Sequence, residues 1–413
     1  MAQPSGFHAR RAALKMLDAV LRRGETLEQA APPALRDVRK PADQALARAI
    51  VGETLRWLTD IDALIDSATK KPLPQDAKPR SVLRLMLAQA LRLETPPHAV
   101  IATGLPLLSG GPRRLAHGVF STLVKQEVTL PGAPTLPDRL LERWDGMAHG
   151  LIQPPEVDLH LKDVSQTKQW QAKLGGESFA PGHIRLPRGT PVEQIEGYEE
   201  GAWWVQDLAA QLPTRLLGDG EGRHVLDLCA APGGKTMALA AKGWKVTALD
   251  ISKRRLGVLK DNLKRTDLKA STLRADALTW EPKHRFDAIL LDAPCTATGT
   301  CRRHPDALHR IGPRQIEEMA EIQRALIERC AQWLKPGGTL VYAVCSLETE
   351  EGEDQARWID EAFGHTLAPI KSEELTAGLQ PSQEGWLRTH PGMLADQGGL
   401  DGFFIGRWTT SEA

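Results

Sequence analysis

His224–Thr236 reads HVLDLCAAPGGKT, and the reading of the fold starts there. His224–Ala230 is a short apolar run, as expected of a strand buried on both faces. It runs into Ala231, Pro232, Gly233, Gly234, Lys235 and Thr236, and Met237–Ala241 then has helical character. Strand, glycine turn and helix in that order open a parallel α/β sheet. The rhythm continues downstream. Val246–Leu249 predicts a strand ending in Asp250, followed by a charged helix with Leu256, Leu259 and Leu263 inward. Thr272–Ala275 predicts a short strand ending near Asp276, and Phe286–Leu291 a strongly apolar one ending in Asp292. Ile316–Leu334 has a helical period, Gly337 and Gly338 break it, and Thr339–Val344 is a strand ending in Cys345. Trp386–Thr389 and Phe403–Trp408 predict an antiparallel pair. The class is α/β, a mainly parallel sheet with helices on both faces.

Upstream the pattern changes. Residues 1–144 read as an all-helical domain: Ala13, Leu14, Leu17, Val20 and Leu21 share one face, and Val82, Leu85, Met86, Ala90 and Leu93 form another stripe. Pro96-Pro97 and Ser109–Pro112 mark breaks. Residues 145–212 predict a small α+β intermediate region, because Val157–Leu161 alternates as VDLHL among many turn signals. Residues 213–413 are the α/β domain.

The 413 residues fit two or three domains. With 41% hydrophobic and 25% charged residues, the composition is that of a globular protein and excludes global disorder. Net charge is zero, yet residues 1–144 carry 21 Lys/Arg against 14 Asp/Glu, while the remainder carries 31 against 38. The helical part therefore suits a polyanion, with Arg22, Arg23, Arg36, Arg39 and Lys40 as a candidate face. No run approaches the length of a membrane span, and no secretory signal core is present, so the expected location is cytoplasmic. Five cysteines without a CxxC pair make neither a disulfide framework nor a structural zinc site, and no metal is expected.

In an open α/β sheet, ligands bind beyond the carboxyl ends of the strands. Asp227, Asp250, Asp276, Asp292 and Cys345 all fall at or near those ends. The glycine turn is neither a Walker loop nor GxGxxG, so alone it is either a nucleoside-cofactor turn or a plain tight turn. Asp250 can accept ribose hydroxyls or cap the helix that starts near Ser252. Asp276 has the same two readings. A pair of acids with no provision for phosphate favours S-adenosylmethionine over a dinucleotide. Cys295, in Asp292-Ala293-Pro294-Cys295, and Cys345 lie on two strand ends. Free cysteine is usually a buried small hydrophobe, the reading taken for Cys330 and open for Cys229. Two thiols at two strand ends instead suit thiol chemistry. Carbon 5 of cytosine is a poor nucleophile, and sulfur addition at carbon 6 makes it one, dividing a hard reaction into easier steps. An aspartate such as Asp292 could hold the N3 and N4 edge while charge develops.

Asp227–Thr236 (DLCAAPGGKT), Asp292–Gly299 (DAPCTATG), Tyr342–Ser346 (YAVCS) and Asp401–Gly406 (DGFFIG) together resemble the RNA cytosine-C5 methyltransferase family. The helical N-terminus is similar to that of the bacterial members acting on 16S ribosomal RNA, which carry a NusB-like domain. The resemblance implies a Rossmann-like class I methyltransferase domain with S-adenosyl-L-methionine as cofactor. It implies Cys345 as the nucleophile, Cys295 as the thiol that assists release, Asp292 at the cytosine ring, and Lys235 orienting it. The backbone of Cys229, Ala230, Ala231, Pro232, Gly233, Gly234 and Lys235 would contact the cofactor's amino-acid end. Asp250, braced by Arg255, would take its ribose, Asp276 its adenine and Asp292 its methionine end. Arg302, Arg303, His304 and Pro305 match a segment expected to meet the RNA backbone. Gly201–Ala210 (GAWWVQDLAA) resembles the first motif of the catalytic domain, in which Trp203 and Trp204 either stack on a base or serve, at least one of them, as core or pocket wall. Leu159–Lys162 reads L-H-L-K where the family often has L-R-x-N, so His160 and Lys162 depart from its pattern.

The implied partner is 16S ribosomal RNA, free or in an assembling small subunit, acted on by a monomer away from any membrane. A cytosine methyltransferase for transfer RNA or another ribosomal site, and a non-catalytic RNA-binding assembly factor, are the alternatives. A dinucleotide oxidoreductase would leave both cysteine loops without a purpose.

Overall fold

The computed structural model describes residues 5–144, 146–362, 365–376 and 378–411. Residue 145, the expected start of the intermediate region, lies outside them. The chain divides into two compact units, Met1–Gln153 with Cys301–Ile311, and Pro154–Thr300 with Gly312–Ala413.

The first unit is helical. Its helices include Phe7–Arg23, Pro41–Arg56, Lys78–Arg92 and Gly110–Lys125. The stripe read from the sequence turns inward: Ala13, Leu14, Leu17 and Val20 are buried with Ile50, Leu55, Met86 and Phe120. The break expected over Ser109–Pro112 is instead the start of a helix, with Ser109 as its extended N-cap and Pro112 in the first turn, where a missing N–H costs nothing. Buried charge is paired. Arg80 meets Asp66 at 2.8 Å, and Arg84 meets Asp62 at 2.7 Å. Arg56 donates to the carbonyls of Leu151 at 3.0 Å and Arg302 at 2.8 Å, and His309 Nε2 donates to Leu55 at 2.6 Å. These bonds fasten the Cys301–Ile311 segment.

The second unit carries two sheets. The small one joins β1 (Val157–Leu161), β2 (His183–Leu186) and β3 (Trp203–Val205), antiparallel in the order β2-β1-β3. Arg185 clamps the Asp158 carboxylate with bonds of 2.6 and 2.8 Å across β1 and β2.

The large sheet comprises β4 (His224–Leu228), β5 (Lys245–Asp250), β6 (Ser271–Arg274), β7 (Phe286–Asp292), β8 (Leu334–Val344), β9 (His365–Leu367), β10 (Leu387–Thr389) and β11 (Phe403–Thr410). Its order is β10-β11-β8-β7-β4-β5-β6, with β9 also on β11. Strands β4 to β8 run parallel, and β11 returns antiparallel between β8 and β10. The chain travels from β4 outward to β6, then restarts on the other side at β7. The order therefore reverses between β4 and β7, where such sheets open a crevice for ligands. Apolar side chains fill both faces: Val225, Ala248, Leu290 and Val341 on one, and Leu226, Leu249, Ile289 and Leu340 on the other. Gly337 and Gly338 sit inside β8 rather than before it, alongside a register shift at Phe286/Ala288. Irregular pairing absorbs the glycines there. No helix among the described residues is long and apolar enough to cross a membrane.

Candidate active site

Each component of the site starts at the carboxyl end of a strand. After β4 the chain turns at Cys229 with φ +60° and passes through Ala231 and Pro232 to Gly233, with φ +108°. Gly233 is required twice over. Its φ is left-handed, and a Cβ there would lie 2.9 Å from Leu259 Cγ. The helix Gly234–Ala241 starts directly after it, three residues earlier than the apolar pattern indicates. Burial pushes the Cys229 thiol up to about 12, so it stays protonated and packs on the core.

Asp250 ends β5 and is buried. It accepts the Ala231 N–H at 3.1 Å and the Ser252 N–H at 2.8 Å, and Arg255 Nη1 lies 3.6 Å away. Arg255 also donates to the carbonyl of Ala231. Asp250 thus ties its own strand end to the glycine turn, while Ser252 caps the following helix by accepting the Arg255 N–H. Asp276 is exposed past the end of β6, and its carboxylate accepts the Leu278 N–H at 3.0 Å. Ile251 and Leu278 are exposed large apolar side chains, each next to or near one of these acids. Sequence reading passed over both, although an apolar residue beside an acid at a strand end is the signal that could have found them.

Three observations fit a sulfonium cofactor with an amino-acid end. The backbone turn at Cys229–Lys235 begins a helix, whose free N–H groups suit a carboxylate. The Asp250 carboxylate has lone pairs left for hydroxyls. The buried Asp227 accepts the Thr236 hydroxyl at 2.5 Å, but its Oδ1 has no protein partner, which leaves an acceptor for an ammonium. Burial first, then the nearby acids, raise Asp227 to about 7.

On the other side of the sheet reversal, Lys235 Nζ donates to Asp292 Oδ2 at 2.7 Å. Burial alone would depress the ammonium. The charge and hydrogen bond of Asp292, with Cys345 and Asp227, more than offset it and raise its pKa. A cavity of about 480 Å3 beside this pair is walled by Trp204, Gln206, Pro232, Lys235, Arg265 and Asp292, a volume that admits a nucleoside. Cys295 and Cys345, from the loops after β7 and β8, bring their sulfurs to 3.5 Å. The hydrogen bond to Cys345, then burial, hold Cys295 well above the usual thiol range.

The two cysteine loops are stitched together. Gly299 N donates to Cys345 O at 3.0 Å, and Leu347 N donates to Thr298 Oγ1 at 2.9 Å. Gly402 N donates to Gly299 O at 2.8 Å, so the loop before β11 closes on the same glycine. The buried Glu351 carboxylate joins both loops. No motif argument singled it out, because its partners lie far away in sequence. Arg388, bonded to Glu353 at 2.9 and 2.6 Å, also donates to Ser346 O.

Other expected contact residues are placed differently. Trp203 and Trp204 are both buried; their indole N–H groups donate to Glu196 O at 3.0 Å and Gln206 Oε1 at 2.9 Å. Trp203 is therefore core, and Trp204 is a buried wall of the cavity. His160 tilts against Trp204 and bonds Gln206 at 2.9 Å, and burial lowers its pKa to about 3. Lys162 donates to Thr266 O at 2.6 Å. The two departures from the family pattern are therefore structural. Arg302 is 3% exposed in the first unit, which removes it from the expected phosphate contacts, whereas His304 is exposed. Cys330 is buried on its helix, as the apolar reading held. Among the described residues, no group of three His, Cys, Asp or Glu side chains could hold a metal ion.

Comparison with known proteins places this geometry. The family model described as 16S rRNA methyltransferase RsmB/F matches residues 214–409, and the NusB family model matches residues 8–107. The chain is 33% identical to the ribosomal RNA small subunit methyltransferase B of Shigella flexneri and 32% identical to that of Salmonella typhi. Each alignment covers 96% of this chain and 97% of the relative. Among solved structures, PH0851 aligns over 99% of both chains with a TM-score of 0.72 at 24% identity, a likeness of fold. A methyltransferase homolog protein from Pyrococcus horikoshii covers 66% of this chain and 93% of its own, with a TM-score of 0.56 at 26% identity.

Proposed function

The chain belongs to the ribosomal RNA small subunit methyltransferase B family and is a methyltransferase that uses S-adenosylmethionine, and from this premise we propose that it methylates carbon 5 of a cytosine in 16S ribosomal RNA through a covalent adduct to Cys345. The observation that carries the reading is the pairing of two thiols, 3.5 Å apart, with the Lys235–Asp292 ion pair of 2.7 Å at adjacent strand ends.

When bound, S-adenosylmethionine supplies the electrophilic methyl group. Asp250 and the turn at Cys229–Lys235 would hold it, with Arg255 bracing Asp250 and Asp276 taking the adenine. Cys345 Sγ, as thiolate once its proton has passed to cytosine N3, forms a bond to carbon 6 of the cytosine, and the displaced π pair makes carbon 5 nucleophilic. Asp292, held by Lys235, accepts from the protonated N3 and the N4 amino edge as charge develops there. After transfer, a base removes the carbon 5 proton, the C6–S bond breaks and returns its electron pair to Cys345, and the N3 proton goes back to that sulfur. Cys295 is the thiol placed for that step. Its pKa is raised chiefly by the hydrogen bond to Cys345. The target must be in a loop or turned out of its stack to reach the thiols. The helical unit, NusB-like in sequence and richer in Lys/Arg than in Asp/Glu, serves RNA docking on this reading.

The test is methyl incorporation from labelled S-adenosylmethionine into unmodified 16S RNA, with mapping of the modified nucleotide. One 5-methylcytosine with wild type and none with C345A supports the reading. Transfer to transfer RNA but not to 16S RNA overturns the substrate.

A further inference from the structure

We propose that Glu351 is a positioning residue that sets the spacing between the two thiols, an inference that rests on the cysteine roles proposed above. The carboxylate is fully buried at 0% exposure. Its Oε2 accepts the Thr296 N–H at 2.9 Å and the Gln323 side-chain N–H at 2.8 Å. Its Oε1 accepts the Ser346 hydroxyl at 2.8 Å and the Thr296 hydroxyl. Thr296 follows Cys295, and Ser346 follows Cys345. One side chain therefore grips the residue after each thiol. Gln323 extends the grip, since the same nitrogen donates to Pro294 O at 2.9 Å, on the other side of Cys295. The Glu351 backbone is fixed in turn, because its carbonyl accepts the buried Tyr342 hydroxyl at 2.6 Å.

The chemistry of the four donors explains why an acid stands here. A carboxylate only accepts, and its lone pairs match four converging donors. Removing it would leave buried N–H groups without partners, and the Cys295 loop would be free to move away from Cys345. The two sides of the carboxylate are not equivalent. Oε2 faces two N–H groups that can only donate, whereas Oε1 faces two hydroxyls that can also accept. A glutamine can therefore place its oxygen on the first side and its amide nitrogen on the second, keeping the grip without the charge. A leucine cannot.

The experiment compares Glu351→Gln, Glu351→Leu and Thr296→Val in the full chain. It measures kcat for methyl transfer, KM for RNA, S-adenosylmethionine affinity and capture of phenylarsine oxide. The arsenical bridges two thiols only when they are close, releasing its oxygen as water with the two thiol protons. C295A and C345A give the baseline for capture through one thiol. E351Q is expected within about threefold of wild type in kcat and arsenical affinity. E351L is expected to lose at least thirtyfold in both, with cofactor affinity and KM within twofold. T296V, which keeps its backbone N–H bond and its shape, is expected to lose three- to tenfold, and it decides the matter if E351L does not fold. Wild-type behaviour of both E351L and T296V overturns the proposal, as does an equal loss in E351Q and E351L. If wild type transfers no methyl group to any RNA but arsenical capture still depends on Glu351, the spacing role stands and the proposed function fails.

Discussion

Replacing Gly299 with alanine perturbs the site without touching a reacting group. A Cβ at Gly299 would lie 2.0 Å from Gly402 O, 2.7 Å from Gly402 C and 3.0 Å from Cys345 O. All three atoms are backbone, so no side chain can swing away. Real Cβ atoms do not come within 3.0 Å of such neighbours, and the loops must part by about 1 Å, a displacement that can lower a rate about 100-fold when it reaches the reacting atoms. It reaches them here, because Gly299 N donates to the carbonyl of Cys345 itself at 3.0 Å. A 100-fold loss corresponds to about 2.7 kcal/mol of transition-state stabilisation. Overpacking also costs about 1–3 kcal/mol of stability. The cofactor turn belongs to β4 and β5, so S-adenosylmethionine affinity is expected to stay within about twofold. The assay is single-turnover methyl transfer, with cofactor binding by calorimetry on the same preparation. A G299A protein that binds cofactor and transfers methyl at the wild-type rate would refute the argument that this glycine fixes Cys345.

Other consequences are accessible to simple measurements. Asp250→Ala removes the acceptor for two backbone N–H groups and for the expected ribose hydroxyls, so cofactor Kd should rise by about 10- to 100-fold, read by calorimetry. Asp227, raised to about 7 in the fold, should make stability fall as pH rises from about 4 to 7: the folded chain keeps a proton that the unfolded chain has already released. D227N should flatten that part of the curve in urea melts. His160, lowered to about 3, acts in the opposite direction, since the unfolded chain binds a proton below about pH 6.5 that the fold excludes, and stability is lost as pH falls. H160F should lessen that loss. Cys229, pushed up to about 12, should resist alkylation at pH 8 in native protein and react on unfolding, as peptide mapping would show.

Much of this architecture could be read locally. Most strands of the large sheet stand out as apolar runs, and β1 matches VDLHL over its full length. Its alternation marks two buried faces, one apolar through Leu159 and Leu161 and one of paired polar groups through Asp158 and His160, while the short strands β2, β3 and β9 carry no such signal. The strand ends carried the acids and thiols, so topology alone brings them to one edge. What escaped the sequence is what depends on distant partners. Glu351 stands in the acidic run LETEEGED, where no local pattern distinguishes it from its neighbours, and its partners Thr296 and Gln323 lie far away in sequence. Arg302 is expected at the RNA backbone from the likeness of Arg302–Pro305 to a family segment, yet the Cys301–Ile311 segment belongs to the helical unit and Arg302 is buried. Ile251 and Leu278 were overshadowed by the acids beside them. Helix starts slipped wherever glycine or proline opened a helix, as at Gly234 and Gly110, since these residues read as breaks without their caps.

The central claim is that Cys345 bonds to the cytosine and Cys295, 3.5 Å away, assists its release. Incubating C295A, C345A and the double variant with S-adenosylmethionine and unmodified 16S RNA, then separating under denaturing conditions, tests it directly. The account predicts a stable protein–RNA adduct with C295A and none with C345A or the double variant. An adduct that forms with C345A and disappears in C295A would reverse the two roles and contradict it.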